Sequence, residues 1–176
     1  NESNRPDELQ LEQILNKTEG WIAGLLLMQL SAERIDEHSQ HKPFIIEFLW
    51  EEIICNLPQD MQFFVLHTSL LRELDPAICD QLTGRTDSLT LLEQLDDQGI
   101  FTVRLHATSP MYRYHHLFIE ALQAELRKRF NRKEISEIAK KAATILYEQG
   151  DITSAIELSL KYKFYDFAQK WLLEHV

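Results

Sequence analysis

The chain has 176 residues, 44% hydrophobic and 26% charged, with a formal net charge of −10. That is enough apolar material for one large or two small packed domains, and the acid surplus argues against a nucleic-acid module, whose surface must answer phosphate charge. The longest apolar run, residues 22–28 with Gly24 inside it, falls far short of the roughly 20 residues a membrane helix needs, and no basic start precedes an apolar signal core.

Pro6-Asp7 opens a helical pattern on Leu9, Leu11, Ile14 and Leu15, with Asp7 as N-cap, which pauses near Thr18. A second helix is expected from Glu19 to Arg34, with Gly20 and Gly24 one turn apart, where another backbone or a ligand can come close. The polar stretch 35–42 reads as a loop; its His38 and His41 lack the nearby Cys or third ligand that a zinc site requires. Pro43 begins a helix, FIIEFLWEEIICNL, apolar almost all round and therefore expected to be buried, which ends before Pro58. Residues 58–70 form the next helix. Asp75-Pro76 then supplies an N-cap and first-turn proline for a short helix closed by Thr83-Gly84. Asp87 or Ser88 caps LTLLEQLDDQ, in which Leu89, Leu92 and Leu95 recur at three-residue spacing and Gly99 is the stop. Cys55 and Cys79 sit in apolar helical patterns without a CxxC partner and read as small core residues, so nothing demands an oxidising compartment and cytoplasm is the expectation.

In residues 100–118 alone the hydrophobic period changes to two. Phe101, Val103 and Leu105 alternate with Thr102, Arg104 and His106, and after the turn-rich ATSP the run 111–115 alternates again, which predicts one β-hairpin. Two strands are marginal alone in water, so the hairpin must pack on helices. Residues 117–130 form an amphipathic helix on Phe118, Leu122 and Leu126, with Arg127, Lys128, Arg129, Arg132 and Lys133 at its end, where cations suit the helix dipole and solvation accounts for the charge. Residues 134–149 carry Ile135, Ile138, Ala139, Ala142 and Leu146 on one face and stop at Gly150; ITSAIELSLKY and FYDFAQKWLLEHV follow after very short connections. Antiparallel helical hairpins are expected there, with Ala142, Ala155 and Ala168 at the crossings, as in tetratricopeptide-like arrays. Charge is divided unevenly: 11 acids to 4 bases in residues 1–58, 8 to 4 in 59–116, and 9 to 10 in 117–176.

The parts list is a mainly α chain in three sections: a helical domain over residues 1–57, a winged-helix domain with one hairpin wing over 58–130, and over 131–176 a helical arm that starts a tetratricopeptide-like repeat. No GxxxxGK[ST], GxGxxG or recognisable nucleophile–His set is present, so the chain is not expected to be an enzyme, and no catalytic or metal residues are assigned. It begins without Met and stops at WLLEHV, which reads as a piece of a longer protein.

TEGWIAGLLLMQLS, EFLWEEIICNLPQDMQFFVLHTSLL, ICDQLTGRTDSLTLLEQLDDQGIF, YRYHHLFIEALQAEL and AATILYEQGDITSAIELSL, in that order, resemble the MalT-like regulators, bacterial transcription activators of the STAND class with a LuxR-type DNA-binding domain. The resemblance implies a P-loop domain before Asn1, sensor repeats and a DNA-binding domain after Val176, an ADP- or ATP-dependent switch in the parent, and self-association of the activated parent. It implies contact with the adjacent nucleotide-binding and sensor domains, DNA contact only through the C-terminal domain, no membrane, and no nucleotide held by this chain alone. In the wider class a Met-His-Asp motif sets its His against the ADP β-phosphate; Tyr114-His115-His116 occupies that place, which makes His115 the candidate, and His116 departs from the motif's Asp. The family's Gly-Trp-Pro, whose Pro touches adenine, reads Gly20-Trp21-Ile22 here, leaving Ile22 an apolar edge and Gly20 a weak contact. The competing readings are a winged helix that binds DNA directly and a helical-repeat interaction module. The first would read with residues 87–98, which carry Asp87, Glu93, Asp96 and Asp97 but no Lys or Arg.

Overall fold

Asp75 and Pro76 define the first sharply built helix start. A computed structural model of the chain describes residues 49–99, 102–106 and 108–174. The helices expected before residue 35, the loop with His38 and His41, and the contacts assigned to Gly20, Trp21 and Ile22 lie outside the described residues. Helix α1 spans Gln59–Thr68 and follows Pro58. Helix α2, Pro76–Thr83, starts under the Asp75 carboxylate, which accepts from the amides of Ala77 at 2.7 Å and Ile78 at 3.3 Å, and ends at Gly84 in the left-handed region, φ 74°. Helix α3, Ser88–Asp97, has Asp87 at its N-cap position, yet the Asp87 carboxylate is held by Arg85 through two bonds of 2.7 Å and caps nothing. The Ser88 amide donates instead to Asp80 of α2 at 3.0 Å, which ties the two helices together.

Strands β1 (Thr102–His106) and β2 (Ser109–Tyr114) form the antiparallel hairpin, with Thr102 opposite Tyr114, Arg104 opposite Tyr112 and a register shift before His106 and Ser109. A further pairing was not visible in the sequence. Leu74, in the connection between α1 and α2, bridges Tyr112: its amide donates to the Tyr112 carbonyl at 2.7 Å, and the Tyr112 amide donates back at 3.2 Å. The inward face of the hairpin also differs from the apolar alternation. Residues opposite one another share a face, and the buried pair is Tyr112 and Tyr114, so Thr102 and the stem of Arg104 share their face, with the Arg104 guanidinium exposed 5.9 Å from the Tyr112 ring centre and Val103 37% exposed on the other. The larger aromatic payload of β2 decides which face is buried.

Four helices follow: α4 (His116–Arg129), α5 (Arg132–Glu148), α6 (Ile152–Lys161) and α7 (Tyr165–Glu174). Asn131 and Glu134 start α5 with a reciprocal capping box of 3.1 and 2.7 Å. Ala142, Ala155 and Ala168 are all buried, as expected of helix crossings, and one continuous apolar core runs from Ile54 through Phe64, Leu92 and Phe118 to Ala155 and Trp171. Two side-chain to backbone hydrogen bonds join the α1–α3 part to the later helices: Gln123 of α4 donates to the Ser69 carbonyl at 2.8 Å, and Lys141 of α5 to the Leu82 carbonyl at 2.8 Å.

Three expectations about the core need correction. The helix expected from Pro43 is, over its described part, a π turn at Leu49–Ile53 and a 3-10 turn at Ile54–Asn56; Ile54 is buried but Glu51 and Cys55 are exposed. Cys79 is the core cysteine, and burial pushes its thiol well above the usual range. On α3 the buried residues are Ser88, Leu91, Leu92 and Leu95, while Leu89 is 39% exposed. Three-residue spacing drifts by roughly 60° per step on a helix of 3.6 residues per turn, which carries Leu89 out of the stripe.

His67, at the end of α1, is buried between the rings of Phe63 (3.8 Å) and Phe130 (5.5 Å), and its Nδ1–H donates to the Phe63 carbonyl at 2.8 Å. Burial, helped by the charge on Lys141, holds its pKa below the ordinary histidine value. The unfolded chain therefore takes up a proton first as pH falls, and stability contributed by neutral His67 is complete above about 6.5 and lost below it, at no more than about 1.4 kcal/mol per pH unit. His67→Phe is expected to flatten that acid limb. Urea midpoints at pH 7.5 and 5.5 for the two proteins check it: equal losses on acidification would remove His67 from the account.

Candidate functional site

The end of the wing is the place where the candidate phosphate ligand sits. Tyr114 closes β2 with its side chain fully buried, its hydroxyl 2.8 Å from Thr68 Oγ1, which itself donates to the Phe64 carbonyl at 2.8 Å. Burial pushes the Tyr114 phenol well above its usual range, so it stays a neutral hydrogen-bonding group. Its ring meets Phe118 of α4 edge-on at 5.4 Å. The strand, α1 and the first turn of α4 are thereby locked at one point, one residue before His115.

His115 is the N-cap residue of α4, with extended backbone (φ −60°, ψ 141°), and its carbonyl accepts from the Ile119 amide at 3.0 Å. Its side chain makes no cap bond to the helix amides, and the first turn of α4 contains no acid. An imidazole placed there stands at the positive end of a 14-residue helix, where an oxyanion is stabilised by the dipole and the first amides. The side chain is only 3% exposed. His116 does not point away from it, as strand alternation would have required. The chain leaves the strand at His115, and the two imidazoles stack with centroids 4.7 Å apart and planes at 30°. What the arrangement can do is donate an N–H to an anion from a packed ring pair whose position is set by Tyr114.

At the other end of α4, the basic run is not simply solvated. Glu125, nearly buried, accepts from Arg129 Nε at 3.0 Å and lies 3.3 Å from Lys128 Nζ, and the Arg129 guanidinium lies 4.4 Å from the ring centre of Trp50. Sequence reasoning passed over Glu125, although its spacing of three and four residues to Lys128 and Arg129 is the signal that finds such pairs. Arg127 and Arg132 take no part in this network. Among the described residues no group of three or more His, Cys, Asp or Glu side chains could hold a metal ion, and no helix is long and apolar enough to cross a membrane.

Residues 50–134 match the family model described as the MalT winged helix domain. Among curated proteins, the chain is 28% identical over 138 residues to the HTH-type transcriptional regulator MalT of Vibrio cholerae serotype O1, covering 73% of this chain and 15% of that protein. It is 29% identical over 150 residues to the protein of the same name from Klebsiella pneumoniae, covering 80% of this chain and 16% of that one. The chain thus spans about one-sixth of the length of the relatives it matches.

Proposed function

With residues 50–134 a winged helix domain of the MalT type, in a chain that is MalT-like over most of its length, we propose that it is the regulatory section of a signal-responsive transcription activator of the LuxR and STAND type. In this reading the parent carries a nucleotide-binding domain whose ADP is bridged to His115 in the resting state. Inducer binding to a sensor and exchange for ATP release the winged helix and allow self-association. The observation that carries the reading is the position of His115: it stands at the N-cap position of a helix, at the positive end, one residue after a tyrosine anchored in the core, so a contact made there is transmitted to α1 and the hairpin together. Direct reading of DNA by α3 fits less well, because Glu93 and Asp97 are exposed on it and it has no cation to set against phosphate. The stacking of α5, α6 and α7 through short turns favours an arm of tetratricopeptide-like repeats, which is compatible with the same regulator.

His115→Ala in the full-length parent removes one polar contact to the phosphate, worth roughly 1–3 kcal/mol, or about one to two decades in the resting equilibrium. Activity without inducer is expected to rise and bound ADP to be lost more readily. Reporter assays with and without inducer, together with ADP retention on the purified parent, check this. Unchanged basal activity with normal ADP retention would make His115 a purely structural bridge. Because the two rings stack, His116→Ala is expected to act in the same direction and more weakly.

A further inference from the structure

We propose that the cleft where α4, α5 and the α6–α7 turn meet is a binding site for a small organic phosphate, held by Arg127, Arg132, Lys161 and Lys163. The cleft has a volume of about 660 Å³; Leu126 and Ile135 form its buried apolar floor, Phe130 and Tyr162 contribute half-buried rings, and Gln123 and Ser136 add polar groups. That size lies in the range of small-ligand sites, and the mixture of apolar walls with a few converging polar groups is what such sites are made of. It lies about 18 Å along α4 from His115, by the rise of 1.5 Å per residue over 12 residues, so it is a separate site from the phosphate contact proposed above.

The charge balance carries the inference. The chain has 28 acidic and 18 basic residues, yet four cations line this cleft and no carboxylate does. Elsewhere the described cations are dispersed: Arg72 pairs with Glu157, Arg85 with Asp60 and Asp87, Lys128 and Arg129 with Glu125, and Lys170 with Glu174, while Lys141 donates to the Leu82 carbonyl and Lys140 lies over the Phe167 ring. None of the four in the cleft has a carboxylate partner among the described residues. Burial and, second to it, the neighbouring Arg127 charge hold the Lys161 ammonium below the ordinary lysine range, so these two cations stand near enough to repel each other.

Helix-end electrostatics does not account for the set. Arg127 and Lys161 lie in the last turns of α4 and α6, where a cation suits the dipole. Arg132 occupies the first position of α5, where the dipole disfavours a cation. Lys163 has φ 65° and is the one non-glycine residue with positive φ among the described residues; the Phe164 amide reaches back to the Ser159 carbonyl at 2.7 Å across it. That closure ordinarily takes glycine. Two of the four cations are therefore kept against local preference, which is what a ligand site demands and a passive surface does not.

The test is calorimetry on the 176-residue chain at low salt with inorganic phosphate, inorganic pyrophosphate and phenyl phosphate. Saturable binding is expected, tighter for pyrophosphate through charge and for phenyl phosphate through the apolar wall, than for phosphate. Arg127→Gln and Lys161→Gln should each weaken it about tenfold, whereas Lys170→Gln, which removes the same charge elsewhere, should not change it. Lys163→Gly separates binding from folding: it should raise the melting temperature by about 2–4 °C while weakening pyrophosphate binding. No saturable heat, equal weakening by Lys170→Gln, or binding of a glutamate-rich peptide or duplex DNA in the absence of any for pyrophosphate would overturn the proposal.

Discussion

Phe118→Ala is expected to lower the unfolding free energy by about 3–5 kcal/mol, against a total of about 5–15 kcal/mol for a domain. Phe118 is fully buried in the first turn of α4 and meets the edge of the Tyr114 ring, so its removal opens a cavity at the point where the hairpin, α1 and α4 converge. Tyr114→Phe at the same point should cost only about 1–2 kcal/mol, because it keeps the ring packing and removes one hydrogen bond. Thr68 retains its bond to the Phe64 carbonyl in that variant. Urea denaturation with both variants measures the difference. If Phe118→Ala costs no more than Tyr114→Phe, the junction is not held by packing, and the transmission from His115 to α1 loses its physical basis.

The parts of this fold that were legible in the sequence are those with a local chemical cause. Asp75-Pro76, Gly84, Gly99 and Gly150 mark helix ends by rules that operate within a few residues, and the chain obeys them. The apolar stripe of α4 and the alanine crossings of α5, α6 and α7 follow from the 3.6 period and from side-chain size, and they too are where the pattern puts them. What was not legible depended on long-range contacts. The Leu74–Tyr112 bridge joins residues 38 positions apart in a stretch with no strand-like alternation of its own. The inner face of the hairpin was decided by two tyrosines on β2 and not by the aliphatic residues of β1. The location of His115 at a strand-to-helix junction was readable from its neighbours; its burial and its stack on His116 were not, because they follow from the turn of the backbone at one residue. The basic cleft draws on residues from 123 to 163, and only the helix-end run Arg127–Lys133 was visible as a cluster in one dimension.

Trp171→Ala is expected to release α7 while leaving the winged helix folded. Ala168 and Trp171 are the two buried residues of this helix, and Trp171 stacks on Tyr147 of α5 at 4.5 Å with planes at 10°. The Tyr147 hydroxyl also donates to Glu174 at 2.5 Å, and the Phe167 ring leans on Trp171 at 5.2 Å, so the indole is the largest buried side chain that docks this helix. Its removal should cost about 3–5 kcal/mol. The loss falls on α7 because stacked helices gain stability mainly from their nearest neighbours, and α7 packs chiefly on α6 and, through Trp171, on Tyr147 of α5. Hydrogen exchange resolves where the loss falls. The amides of α7 should lose protection by two to three decades, about the factor that 3–4 kcal/mol represents, while the amides of Leu74 and Tyr112, which bond each other across the small sheet, keep theirs. Loss of protection at Leu74 and Tyr112 by the same factor would mean that arm and winged helix unfold as one unit, and that a signal arriving at the arm reaches the wing through the shared core without any separate hinge.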